Sequence, residues 1–390
     1  MRRFFSFIML CICLLEHGIA DSGNEAGMLQ RYLFSGQHQE MEETKASDTT
    51  VTVMIYMDAA TLESGEEPFA RYDMEQMLAA ELSEQVTVLL QTGGTSRWTN
   101  PDISTETTQR YRIHDSELEL VEDTGVQQDM TDARTLRDFL IFAQKEAPAD
   151  RYMLILWGHG RGPQIGYGLD EYQDAGKAMS YEDMAGAIQS AEEEAGFNLE
   201  WIGFDVCLTG TIETVYALRD SCDYLVVSED YEPAYGWQYT DFLEALSKDP
   251  AMEAEILAEV ILDGFMAEAE KSGDRGILAV IDTACVEELW QAWQQFCVQT
   301  APEMMEALVH SVWTDETLLT PAPPSPDGYI TDDDQYSLQD YGLTDLAALC
   351  ELSELPEAEE LLSLIEESIV CVKSFHMTRT MCGLAVYTGK

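Results

Sequence analysis

Apolar residues in this chain gather in short, nearly continuous runs rather than in the strict alternation of a half-exposed strand. The runs are "VTVMIYMDA" (51–59), "VTVLLQTGG" (86–94), "RYMLILWGHG" (151–160), "EWIGFDVC" (200–207) and "YLVVSED" (224–230). Each is rich in β-branched or aromatic residues and is stopped by Gly, Asp or Ser, the signature of strands buried on both faces. Between them, apolar positions recur at helical spacing in "FARYDMEQMLAAEL" (69–82), "MTDARTLRDFLIFAQKEA" (130–147), "SYEDMAGAIQSAEEEAG" (180–196) and "GTIETVYALRD" (210–220). Strand and helix therefore alternate, which predicts an α/β fold: a mostly parallel central sheet with helices on both faces.

Two stretches depart from this rhythm. "RYRI" and "LELVED", around "HDSE" (114–117), predict a β-hairpin attached to the sheet. After residue 240 the pattern turns mainly helical, with strands expected at "GILAVID" (276–282) and "GLAVYT" (383–388) and an exposed Pro-rich insertion at 320–335. The expected organisation is a signal peptide (1–20), a polar linker or pro-segment (21–50), a catalytic α/β core (51–245), and a helical C-terminal subdomain (246–390) with strands returning to the sheet.

The signal peptide is read from "MRR", the apolar "FFSFIMLCICLL", and Gly18 and Ala20 at minus three and minus one of a cut after Ala20. The apolar stretch is short for a membrane span, and neither Cys11 nor Cys13 follows the small residue of a lipoprotein signal. These features predict an exported protein, secreted or held at the cell surface or in the periplasm, with no membrane span once the signal is removed. Its removal leaves Cys207, Cys222, Cys285, Cys297, Cys350, Cys371 and Cys382 of the original 9 cysteines. That odd number leaves at least one thiol unpaired, and no CxxC or Cys/His cluster has the spacing of a zinc site.

Composition changes the picture in one respect. In 390 residues, 73 Asp and Glu oppose 21 Lys and Arg, a formal net charge of -52. Such a surface repels nucleic acid and anionic lipid and attracts cationic ligands, although acid on exposed helix faces also serves solubility alone. Hydrophobic residues at 46% supply a packed core, and no Gly-rich phosphate-binding fingerprint is present.

In open parallel sheets, ligands bind beyond the carboxyl ends of the strands. Two successive strands here end in reactive side chains: His159 after "YMLILW" and Cys207 after "WIGFDV". A thiol to attack a carbonyl and an imidazole to protonate the leaving amine are the parts of covalent acyl transfer. Glycines at 158, 160 and 162 strip side chains from the histidine turn, so that backbone N–H groups can approach a developing oxyanion. Taken singly, a cysteine on an apolar strand is more often a core residue, and a histidine between glycines a turn residue.

The strings "PADRYMLILWGHGRG", "GFDVCLTGTIETVYAL" and "SEDYEPAYGW", with "VTVMIYMDA" and "GLAVY" at the ends of the ordered region, resemble the clostripain-like cysteine peptidases, family C11. These share the caspase, legumain and gingipain architecture. The resemblance implies a caspase-like fold and a cysteine endopeptidase with His159 as catalytic histidine, Cys207 as nucleophile, and the Gly160 and Cys207 amides as oxyanion donors. It implies that Asp205 lies in the S1 pocket and binds the Arg or Lys before the cut bond, a charge-assisted pairing; a strand-end cap is the other reading of this acid. Glu229, Asp230 and Trp237 are weaker candidates for pocket walls. The chain has Gly158 where the family often has Asp or Asn, and Val206 where it has Ala. Family members mature by self-cleavage between histidine and cysteine, and from Gly162 to Val206 the one basic residue is Lys177, in the polar stretch "QDAGKAMS". The resemblance also implies further chain after "GLAVYTGK".

The expected function is thus a secreted zymogen that cuts itself after Lys177 and then cleaves protein or peptide substrates with a basic P1 residue. The alternatives are a related peptidase of different P1 preference and an inactive binding or adhesion module. The chemistry requires no cofactor. The family's type member needs calcium, and the acidic "TDDDQ" (331–335) is a possible site without the Gly-containing spacing of an EF-hand loop.

Overall fold

The computed structural model describes residues 48–314, 338–375, 377 and 381–389. The predicted signal peptide, nearly all of segment 21–50 and the insertion carrying "TDDDQ" lie outside the described residues. From Ser47 onward the chain forms one compact unit.

Its centre is a nine-stranded sheet. Strands β1 (Val51–Asp58), β2 (Val86–Gly93), β5 (Arg151–Trp157), β6 (Trp201–Asp205) and β7 (Tyr224–Val227) run parallel in the order β7-β6-β5-β1-β2. The hairpin β3 (Gln109–His114) and β4 (Glu117–Asp123) extends the sheet antiparallel beside β2. Strands β8 (Gly276–Asp282) and β10 (Ile369–Phe375) extend it beyond β7, each antiparallel to its predecessor. All five apolar runs are thus the parallel strands, and the predicted hairpin is present.

Continuous apolarity has a direct cause, because alternate side chains of each central strand enter different cores. Met54 and Tyr56 of β1 join Leu154, Leu156, Ile202 and Phe204 on one face. There they meet helices α3 (Ala133–Glu146), α4 (Tyr181–Ala195) and α5 (Ile212–Leu218) through Phe139, Ile188 and Val215. Val53, Ile55 and Met57 point to the other face, against α2 (Phe69–Ala79), α6 (Tyr239–Lys248) and α7 (Ala254–Ser272) through Met74, Phe242 and Phe265. Burying one such side chain contributes roughly 1.5–3 kcal/mol, so both faces specify the fold.

Helix ends follow local chemistry. Ser180 caps α4 by accepting the Asp183 N–H, and Gly196 ends it in the left-handed conformation at φ 74°. α3 begins at Asp132, whose carboxylate accepts from the Arg134 amide.

The second half of the chain is less regular. The expected division after residue 245 falls within α6, and the chain beyond it supplies β8 and β10 to the same sheet. β10 carries no turn signal before it, since it follows directly on helix α11 (Pro356–Ser368), and its half-exposed residues mark it as an edge. The strand expected at 383–388 is present as β11 (Ala385–Tyr387), but it pairs with β9 (Leu343–Asp345) in a separate two-stranded sheet. That small sheet packs beside the nucleophile segment, since the Ala385 N–H donates to the Gly210 carbonyl at 2.8 Å. The seven cysteines from Cys207 onward are all free thiols. No helix among the described residues is long and apolar enough to cross a membrane.

Candidate active site

Parallel pairing sets the site. Trp157 at the end of β5 lies opposite Asp205 at the end of β6, so Gly158-His159-Gly160 and Val206-Cys207 leave the sheet side by side. The Gly158 amide donates to the Asp205 carbonyl at 3.3 Å. Gly158 itself has φ 144°, and a Cβ there would stand 2.6 Å from the Asp58 carbonyl oxygen, so a larger residue fits neither the backbone nor the space. Gly160 is constrained more tightly: a Cβ would lie 1.8 Å from the carbonyl oxygen of Cys207. The histidine turn and the cysteine backbone are therefore in contact because residue 160 has no side chain.

His159 is half-buried, and its Nε2 lies 2.9 Å from the Thr61 hydroxyl of α1 (Ala60–Ser64). Burial and the nearby Arg161 cation both hold its pKa below the ordinary value, so the imidazole is neutral and able to take a proton at neutral pH. The Cys207 sulfur accepts the Glu232 N–H at 3.3 Å. Burial pushes this thiol up to about 11; the Glu232 amide opposes that shift and the neighbouring Asp230 and Asp205 add to it. In this state the sulfur is a protonated thiol whose hydrogen-bond partner is the Glu232 amide, while the imidazole Nε2 is engaged by Thr61. Leu208, directly after the cysteine, holds φ 59° with its side chain buried and its N–H on the Asp230 carbonyl at 3.0 Å. Non-glycine residues in this conformation store strain that surrounding packing must hold, a feature common at active sites.

Asp205 ends in a socket of acids. Its carboxylate is buried, accepts the Tyr239 hydroxyl at 2.8 Å and the Trp237 N–H at 3.5 Å, and lies against Gly236, where a Cβ would be 2.5 Å from Oδ1. Burial raises its pKa to about 6, against the lowering effect of Tyr239, Glu232 and Trp237. Both carboxyl oxygens of Glu232 are buried, and neither has a hydrogen-bond partner among the described residues. Burial, Asp205 and Cys207 together hold this carboxyl well above its usual range, which favours the protonated form beside Asp205. Asp73, from α2, is also buried and raised, by desolvation first and by the Asp205 charge second, and accepts the Trp157 indole N–H at 2.7 Å. Three carboxyls thus converge with neutral partners.

The other predicted residues are dispersed. Glu229 is fully buried and faces the two-stranded sheet, where it accepts the Gly383 N–H at 2.7 Å and meets Asp345. Asp230 lies near the sulfur, accepts the Tyr231 N–H at 2.8 Å and is 3.7 Å from Arg275 Nε. Trp237 contributes its backbone N–H but not its indole to the socket. That ring is 1% exposed and packs on Gly203, where a Cβ would come within 2.5 Å of it. Lys177 is exposed and paired with Asp129, and Arg161 reaches the carbonyls of Ala175 and Lys177 at 3.2 and 3.5 Å.

Thr61, Asp73, Glu232 and Tyr239 were not foreseen. Asp73 had a signal, an acid on the apolar stripe of α2 with Ala70, Met74 and Met77. Glu232 stood within "SEDYEPAYGW" as one acid among three. Among the described residues, Glu229, Asp345 and Cys382 bring metal-ligand atoms within 4.8 Å of one another. Glu229 Oε2 and both Asp345 oxygens already accept the Gly383, Cys382 and Ala348 amides, Glu229 Oε1 is buried with no hydrogen-bond partner among the described residues, and the thiol is a poor match to calcium.

A sequence model of the clostripain family of C11 peptidases matches residues 29–370. The chain belongs to the clostripain family. It is a cysteine peptidase. No curated protein matches this clostripain-family chain in sequence. Among solved structures, an inactive zymogen C11 protease from Parabacteroides distasonis is 18% identical with a TM-score of 0.63, over 89% of this chain and 94% of that one. A secreted C11 cysteine protease from Bacteroides thetaiotaomicron is 16% identical with a TM-score of 0.63, over 87% and 93%. The same organism's secreted protease bound to an irreversible peptide inhibitor is 16% identical with a TM-score of 0.61, over 87% and 92%. At these identities the likeness establishes a shared fold over 87–89% of this clostripain-family chain.

Proposed function

We propose that this clostripain-family peptidase is an exported endopeptidase that cleaves after Lys or Arg, with Cys207 as nucleophile and His159 as proton carrier. The observation that supports it most is the Asp205–Glu232 acid pair beside the Cys207 sulfur, with Asp73 behind it. Buried carboxyls with only neutral donors are costly, and a guanidinium or ammonium entering the socket would displace the shared proton and offset that cost. An apolar P1 side chain would leave the acids buried and unpaired.

In the proposed reaction His159 takes the thiol proton, and the sulfur electron pair attacks the carbonyl carbon of the P1 residue. The Gly160 and Cys207 amides stabilise the oxyanion. The C–N bond then breaks as the imidazolium protonates the leaving amine, and water, deprotonated by His159, releases the acyl group. No step uses a cofactor, and calcium is assigned to no described residue.

The protonated thiol is consistent with a precursor state, and a structural relative is described as an inactive zymogen. We assign the activating cut to the Lys177–Ala178 bond. Export is proposed from the N-terminal signal and from a relative described as secreted.

Cleavage of a mixed peptide library, read for P1, tests this reading. Native enzyme should select Lys or Arg, Cys207→Ala should be inert, and Asp205→Ala should lose the basic preference. Selection of apolar P1 residues, or activity in Cys207→Ala, would overturn it.

A further inference from the structure

The imidazole of His159 is met by a side chain from a neighbouring strand's extension. β1 lies next to β5 in the sheet, and α1 follows β1 directly, so Thr61 arrives beside the histidine turn. Its Oγ1 lies 2.9 Å from His159 Nε2.

The segment that carries this hydroxyl is firmly held. The Ala59 N–H donates to Gly93 O and the Gly65 N–H to Thr61 O, each at 3.0 Å. Glu63, two residues on, is buried and accepts from the Thr99 N–H at 2.7 Å, the Thr99 hydroxyl at 2.6 Å and the Arg71 N–H at 3.1 Å. A short helix pinned from two directions presents one hydroxyl to one ring nitrogen.

The direction of that hydrogen bond decides the chemistry. If the hydroxyl donated to Nε2, the neutral ring would carry its proton on Nδ1 and could accept nothing from a thiol there. If it accepts Nε2–H, the lone pair lies on Nδ1. We propose that Thr61 is a positioning residue of the catalytic histidine, its hydroxyl accepting Nε2–H and so fixing the tautomer in which Nδ1 receives the Cys207 proton. This rests on the His159/Cys207 reading above. As the S–H bond breaks and Nδ1–H forms, the imidazolium keeps Nε2–H on Thr61. The same Nδ1–H later goes to the leaving amine, and the ring returns to its starting tautomer. Burial and the Arg161 cation disfavour the imidazolium, so an acceptor held on Nε2 acts where the charge develops.

Thr61 is exposed, so its substitution need not disturb the core. Thr61→Val, Thr61→Ser, Thr61→Ala and His159→Ala enzymes are compared in steady-state hydrolysis of fluorogenic peptides with Lys or Arg at P1, from acid to alkaline pH. The Val and Ala forms should lose about ten- to hundredfold in kcat with KM changed less than about twofold, the size expected for one charge-assisted hydrogen bond made in the transition state. Their acid limb in the kcat profile should shift, and Ser should restore kcat to within about threefold of native. Native kcat and an unmoved acid limb in Thr61→Val and Thr61→Ala, with His159→Ala inert, would overturn this proposal alone, as would Ser behaving like Val. Native activity in His159→Ala would overturn the dyad and this proposal with it.

Discussion

The Glu232 amide donates to the Cys207 sulfur at 3.3 Å, while the carboxyl of the same residue abuts Asp205. One residue therefore touches both the proposed nucleophile and the proposed reader of the P1 cation. The loop 228–237 follows β7, whose parallel neighbour β6 delivers the cysteine, so the contact follows directly from strand order.

Glu232→Gln keeps a donor toward Asp205 and removes one potential negative charge. For Lys or Arg at P1 it should lower kcat/KM by about tenfold, mostly through KM, because one charge-assisted contact of about 1.5 kcal/mol is lost. Cleavage of a matched pair of peptides with Arg and citrulline at P1 checks this; the discrimination between them should narrow.

With Asp205 as the proposed reader of the P1 cation, its pKa of about 6 predicts a pH dependence for P1 selection. Below that value the pair is neutral and attracts a cation weakly; above it Asp205 is ionised and the attraction is full. kcat/KM for basic P1 peptides should therefore rise with pH through about 6, and Asp205→Asn should abolish that limb. A flat profile in the native enzyme between acid and neutral pH would separate Asp205 from P1 binding.

Stability should run the opposite way. Asp205 has a folded pKa raised from 3.8 to about 6, and Glu229, Glu232 and Asp73 are raised by burial as well. An acid with a raised folded pKa contributes stability that is complete below its unfolded value and is lost as pH rises through the folded one. For Asp205 this is on the order of 3 kcal/mol, lost between about pH 4 and 6. The melting temperature should accordingly fall from mildly acid to neutral pH, and Asp205→Asn or Glu229→Gln should flatten the fall in thermal melts. The acids with lowered pKa, among them Asp132 and Asp150, lose their contribution only below the usual carboxyl range.

How much of this was legible in the chain follows from what each residue type advertises. The parallel strands were readable because residues such as Ile55 and Leu156 must be apolar on both faces, and their carboxyl ends marked where His159 and Cys207 emerge. Gly160 was readable as a bare turn, but not the reason for it, since the Cys207 carbonyl that needs the space comes from a strand over forty residues away. Thr61 had no signal: a hydroxyl on a short helix becomes meaningful only when β1 and β5 lie side by side. β10 was hidden because an edge strand fused to a helix has neither two-faced burial nor a turn before it.

Gly160→Ala tests the contact that joins the two halves of the site. Its Cβ would meet the Cys207 carbonyl oxygen at 1.8 Å, and a backbone atom cannot swing away as a side chain could. The expected cost is about 1–3 kcal/mol of stability with loss of most activity, because the histidine turn and the Cys207 backbone must separate. Labelling of Cys207 by an irreversible lysyl or arginyl peptide reagent should slow in parallel, while a small alkylating agent should still react.

Lys177 is exposed, yet its ammonium is held by Asp129 and its carbonyl by Arg161, so neither the P1 cation nor the scissile carbonyl is presented to Cys207 in this arrangement. Cutting after Lys177 requires the ammonium to exchange Asp129 for the Asp205 socket, a transfer between two acids that a mutation can bias. Asp129→Asn should accelerate conversion of the single chain to two fragments, and Lys177→Gln should prevent it. Cys207→Ala should stay intact alone and, if native enzyme acts between molecules, be cut when mixed with it. Gel analysis with N-terminal sequencing of the new fragment reads all of these outcomes, and a native chain that stays whole, or a Cys207→Ala chain that is cut alone, would remove Lys177 from the maturation of this peptidase.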